Sequence, residues 1–288
     1  DATNVKTTAC MQIVTAISHE HTAVLGPKLA DITRAKAGVI KGGVTIIYPL
    51  LVEQSIDIIK KKCKEVDSLC VCPELDSLRI VEQNWQSNNF IYHGIIYHKS
   101  LSGEFQIYNA ITAIAAAREL REMGLNISNK DIVWGVENTF MPARMEVLSK
   151  KPLVILDGSH NPGGAKALAK ALELFKENKI VLVMGVLADK DYDRILKPIC
   201  KYATDFIAIT PKNPRALDGE QLAEDAKKYC VNAFSFKDYS EAINKAFEQA
   251  NAGQTIVVCG SLYLAADLRP LLVSYIDDLS GSAVKFAD

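Results

Sequence analysis

Four short apolar runs dominate the second half of the chain: Leu153-Val154-Ile155-Leu156, Ile180 to Met184, Phe206 to Ile209 and Thr255 to Cys259. None alternates apolar with polar residues, so each predicts a strand covered on both faces. Between them lie helix-compatible stretches running to Phe175, through Cys200, through Tyr229, to Ala250 and onward from Ser261, with one more strand near Phe234. Strands that alternate with helices in this way predict a doubly wound, mostly parallel sheet.

The first half is less regular. A β-type run, Met11 to Ile17, is followed by Leu25-Gly26-Pro27 and a helix to Lys36 that stops at Gly38. Val44 to Tyr48 reads as a strand, Glu53 to Val66 as a helix, and Cys70 to Cys72 as a short strand. Ser87 to Ser102 has hairpin-like alternation, and Gln106 to Met123 is an Ala-rich helix closed by Gly124. Proline and lysine interrupt the periodicity from Met141-Pro142-Ala143 to Lys150-Lys151-Pro152. The expected domains are therefore 1–150 and 151–288, in keeping with roughly 150 residues per domain.

With 33 basic against 34 acidic residues the net charge is -1, which gives no reason to expect nucleic acid or a membrane surface as partner. No apolar run approaches the roughly 20 residues of a membrane helix, and a cytoplasmic setting is expected. Seven cysteines in a chain of this size predict reduced thiols, and Cys70-Val71-Cys72 lacks neighbours at zinc spacing, so no structural metal is expected.

In open α/β sheets ligands collect where strands end and helices begin. Asp157-Gly158-Ser159-His160-Asn161-Pro162 occupies such a turn. A carboxylate, an imidazole and a helix N-terminus suit a phosphate or carboxylate site, but Asp157 and Asn161 could equally be helix caps. Gly158 and Gly163 have P-loop spacing, yet position 164 is glycine where lysine is required, and no GxGxxG occurs. His19-Glu20-His21 could hold a metal or lie in a surface loop. Lys36, at a helix end, reads as a solvated charge complementing the dipole. Arg144 suits either a bidentate phosphate clamp or an ordinary salt bridge, and Asn109 either an adenine contact or a water-facing position.

The order of these signals carries more than any one of them. Asp1-Ala2-Thr3-Asn4, His21-Thr22-x-x-Leu25-Gly26, Lys36-Ala37-Gly38-x-Ile40-Lys41, Gln106-x-x-Asn109-Ala110, Pro142-x-Arg144-x-Glu146, Asp157-Gly158-x-His160-Asn161-Pro162 and Gly260-Ser261-Leu262-Tyr263 follow one another along the chain. In this the sequence resembles the folylpolyglutamate synthase / dihydrofolate synthase family, itself similar to the Mur ligases, from Asp1 to about Arg269.

The resemblance implies a Mur-ligase-like P-loop ATPase domain, of which 1–150 would be the remainder, followed by a Rossmann-like C-terminal ligase domain. It implies ATP-dependent ligation of L-glutamate to folate or dihydropteroate through an acyl phosphate, with ATP and Mg²⁺ required and a monomer expected. By the same resemblance His21 matches a Mg²⁺ ligand and Lys36 a lysine that is carbamylated. Asn109, Arg144 and Asp157 match ATP contacts, and Lys36, Asp157 and His160 make up the catalytic set. Asp1 and Ala2 match positions lining the pterin site, and Ser261 belongs to a motif assigned to substrate. A Mur-type amino-acid ligase is the alternative, as is a catalytically silent fragment.

The sequence departs from the family pattern at Ala35 (usually glutamate), at Ala143 (usually glycine) and at Ser18-His19-Glu20 (often Gly-Leu-Asp). The glycine-rich phosphate loop and a metal-binding glutamate would lie upstream of Asp1, so truncation is expected.

Overall fold

The computed structural model describes residues 9–19, 22–99, 102–175, 179–250 and 254–284. It divides into two compact units, Asp1–Thr139 and Phe140–Asp288.

In the first unit β1 (Met11–Val14), β2 (Gly43–Ile47) and β3 (Ser68–Val71) form a parallel sheet in that order. Helices α1 (Thr22–Leu25) and α2 (Leu29–Ala37) lie between β1 and β2, and α3 (Glu53–Glu65) between β2 and β3. The central strand β2 is buried from Val44 to Ile47, as its unbroken apolar run requires. A second sheet is an antiparallel meander of β4 (Arg79–Gln83), β5 (Asn88–Tyr92) and β6 (Ile95–Lys99). His93 and Gly94 join β5 to β6 with φ of 48° and 74°, as a tight primed hairpin turn needs. One face of the meander packs Phe90, Tyr92 and Tyr97 against Ile107, Ile111 and Ile114 of α4 (Glu104–Glu122) and Ile132 and Val136 of α5 (Asn129–Asn138).

The second unit is a six-stranded sheet. Its strands are β7 (Glu146–Lys150), β8 (Leu153–Leu156), β9 (Ile180–Met184), β10 (Ala203–Ile209), β11 (Asn232–Phe236) and β12 (Thr255–Cys259). They stand in the order β11-β10-β9-β12-β8-β7, and only β7 runs antiparallel to its neighbour. The helices are α6 (Pro162–Leu172), α7 (Tyr192–Cys200), α8 (Gly219–Ala226), α9 (Tyr239–Gln249) and α10 (Leu262–Val284). β8, β9 and β12 are buried at every position, which explains why they read as continuous apolar runs.

The boundary expected after Lys150 falls later than the break between the units. β7 pairs with β8 from Glu146↔Leu156 to Lys150↔Leu153, so β7 belongs to the sheet of the second unit, which begins at Phe140. Among the described residues no helix is long and apolar enough to cross a membrane.

Candidate functional site

β12 was inserted last in sequence between β8 and β9, and this reversal of strand order makes a switch point at the carboxyl ends. Three strand tips are tied together there by backbone bonds. Asp157 N–H donates to Val258 O (2.8 Å), Gly260 N–H to Ser159 O (2.9 Å) and Gly185 N–H to Cys259 O (3.4 Å). A fourth piece, the turn before β7, is held by Gly158 N–H donating to Ala143 O at 2.7 Å.

Asp157 is 3% exposed. Its Oδ2 accepts the Met145 N–H at 2.9 Å, and its Oδ1 accepts the Ser159 N–H at 2.9 Å as well as the Ser159 hydroxyl. Capping belongs to Asn161, whose Oδ1 accepts the Gly164 N–H at 2.7 Å ahead of Pro162 at the first helical position. The open alternative is thereby divided: Asn161 caps α6, whereas Asp157 braces the turn carrying Arg144. Burial and the Asp157 charge push the neighbouring Cys259 thiol well above the usual thiol range, so it stays neutral.

Half-buried His160 lies within 2.8 Å of Gly158 O through Nδ1. A carbonyl can only accept, so Nδ1 carries the proton and Nε2 of the neutral ring keeps a lone pair. Arg144 is flanked by Ala143 at φ 53° and Met145 at φ 51°. Left-handed backbone costs a non-glycine residue about 1–2 kcal/mol, so both flanks of Arg144 carry strain. The Arg144 Nη1 atom lies 3.0 Å from where a Cβ on Gly158 would stand, so the guanidinium rests on the one side-chain-free position of the turn. Ser261 is buried, and its Oγ accepts the Tyr263 N–H at 3.1 Å to close the start of α10.

Arg144, Asp157, His160 and Ser261 thus come together within the second unit. Lys36 and Asn109 belong to the first. Lys36 is half-buried in the last turn of α2, before Gly38. Asn109 is exposed on α4 and donates to Gln106 Oε1 at 3.2 Å. Asp1, Ala2 and His21 lie outside the described residues.

Among the described residues no three His, Cys, Asp or Glu side chains converge as a metal site. Ser159, Glu146 and Leu262 stood inside the quoted sequence motifs without being assigned a role, and the pairing of Glu146 with Arg269 left no signal in the sequence.

The sequence profile of the Mur ligase glutamate ligase domain matches residues 143–262, which span this site. The chain is 29% identical over 282 residues to a folylpolyglutamate synthase of Lacticaseibacillus casei, covering 95% of the chain and 64% of that protein. It is 30% identical over 275 residues to the dihydrofolate synthase/folylpolyglutamate synthase of Escherichia coli strain K12, covering 94% of the chain and 62% of that protein. The chain therefore spans less than two thirds of the length of either relative. The structure superposes on Mycobacterium tuberculosis folylpolyglutamate synthase complexed with ADP and AMPPCP with a TM-score of 0.82 and 26% identity, covering 94% of the chain and 65% of that protein.

Proposed function

Since this chain belongs to the folylpolyglutamate synthase / dihydrofolate synthase family, with the Mur ligase glutamate ligase domain in its second unit, we propose that it takes part in ATP-dependent ligation of L-glutamate to folate or dihydropteroate. The observation that carries this reading is the presentation of Arg144 and His160 at the carboxyl ends of β8 and β12. A turn braced by Asp157 holds them there.

In the proposed reaction the pterin substrate's carboxylate attacks the γ-phosphate of ATP, forming an acyl phosphate and releasing ADP. The amine of glutamate then attacks the acyl carbon, phosphate departs, and an amide remains. Arg144 is a fixed cation that binds the nucleotide phosphates and offsets charge as it develops. His160, with Nε2 as acceptor, takes or holds a proton at the attacking amine. Asp157 acts by holding the turn. Asn109 is assigned to adenine, Lys36 to carbamylation, Ser261 to the substrate loop, Asp1 and Ala2 to the pterin and His21 to Mg²⁺. When bound, Mg²⁺ would neutralise phosphate charge. The first unit is read as the remainder of a Mur-ligase-like ATPase domain and the second as a Rossmann-like ligase domain, in a cytoplasmic monomer.

The test is ATP-dependent incorporation of labelled glutamate into folate or dihydropteroate by the full product of the reading frame. Label that requires ATP and is lost in Arg144→Ala and His160→Ala is expected. Incorporation into a nucleotide-sugar peptide but not into a pterin would overturn the reading.

A further inference from the structure

The backbone on either side of Arg144 is left-handed, and such a conformation persists only where its surroundings over-determine it. Asp157 holds the far flank through the Met145 N–H. The near flank is held by Glu146, whose Oε2 accepts the Ala143 N–H at 3.0 Å. Glu146 is 5% exposed, and a buried carboxylate is costly unless its charge is met. Its partner comes from 123 residues away: Arg269 on α10 donates from Nε to Oε1 (3.0 Å) and Oε2 (3.2 Å) and from Nη2 to Oε1 (2.7 Å). The forked arrangement fixes direction as well as charge. The carboxylate in turn raises the guanidinium pKa of Arg269.

This pairing has a second effect. Glu146 is the acidic residue nearest Arg144 in sequence. Among the described residues Arg269, not Arg144, takes its carboxylate. Arg144 is left to meet an outside anion.

We infer that Glu146 and Arg269 are positioning residues: they hold the left-handed turn and keep Arg144 unneutralised, so that nucleotide affinity depends on a contact made by α10. The inference rests on the reading of Arg144 as a nucleotide contact.

A double-mutant cycle in the full product of the reading frame tests it, with Mg-ATP affinity from calorimetry and backbone amide exchange at Ala143 and Met145 as readouts. Arg269→Ala and the near-isosteric Glu146→Gln should each weaken ATP binding at least tenfold, and less than twofold when Arg144→Ala is already present. Both should speed exchange at Ala143. Arg269→Lys, which keeps the charge but not the fork, should restore part of the affinity. Equal losses with and without Arg144 would make the pair a general brace and overturn the inference. If Arg144→Ala alone leaves ATP affinity unchanged, the functional reading fails. The turn-holding half then stands or falls with the exchange rate at Ala143.

Discussion

Two glycines at the tips of neighbouring strands should respond very differently to the same added methyl group. Gly260, just past β12, has φ 105°, and a Cβ there would stand 2.6 Å from Gly185 O and 2.9 Å from Met184 Cγ. The oxygen is backbone at a buried strand end and has nowhere to go. Left-handed backbone costs an L-residue about 1–2 kcal/mol, and forced overpacking costs about 1–3 kcal/mol. Gly260→Ala should therefore lose roughly 2–5 kcal/mol, a large part of a typical stability of about 5–15 kcal/mol. For a unit of this size that corresponds to a melting temperature lower by roughly 5–15 °C. At Gly158 the backbone is not left-handed, and the new Cβ would overlap Leu262 Cδ2 and approach Arg144 Nη1 at 3.0 Å. Both are ends of long side chains, and Leu262 is 43% exposed, so they can swing aside. Gly158→Ala should lose less than about 1.5 kcal/mol, yet displace Arg144 and weaken ATP binding. Urea unfolding followed by far-UV circular dichroism measures the first effect. Tryptophan fluorescence provides a reference, because Trp85 and Trp134 both lie in the first unit. Equal destabilisation by the two substitutions would refute the reasoning from backbone versus side-chain obstruction.

Asp157→Asn replaces an oxygen that accepts backbone N–H groups with a donor, so it should lose about 2 kcal/mol on denaturant titration. His160→Ala, at a half-buried turn position, should melt within a few degrees of the parent and lower glutamate ligation at least tenfold in the labelled-glutamate assay. Burial pushes the thiols of Cys70 and Cys200 up to about 12, so the unfolded chain ionises first and stability should fall as pH rises above about 9; urea midpoints at pH 7 and pH 10 check the sign. Ser128→Ala removes the hydroxyl that accepts the Asp131 N–H in the capping box of α5 and should cost about 1 kcal/mol, read from the urea midpoint.

What could be read from sequence was what depends on neighbours in sequence. β8, β9 and β12 were legible because both faces are buried, which leaves an apolar run that no loop would carry. β7 was not: Glu146-Val147-Leu148-Ser149-Lys150 is an outermost antiparallel strand that begins and ends on charges, and missing it put the boundary after Lys150. β4 escaped for a related reason, since four of its five residues are exposed. α5 did leave a local mark, the capping pair Ser128 and Asp131. The site divides along the same line. The turn after β8 was visible as a strand end followed by a proline-led helix. The partition of work within it was not, because Asp157 and Asn161 are both short polar residues at a helix entry. Only three-dimensional partners separate a carboxylate bound by Met145 and Ser159 from an amide that caps Gly164. Arg269 lay furthest from view. Nothing within a helical turn of it mentions Glu146, and the reason for its position is a left-handed turn at the other end of the unit. The aim of Arg144 therefore follows from contacts that span the second unit, and substitutions far along the chain in α10 should alter it as surely as changes beside it.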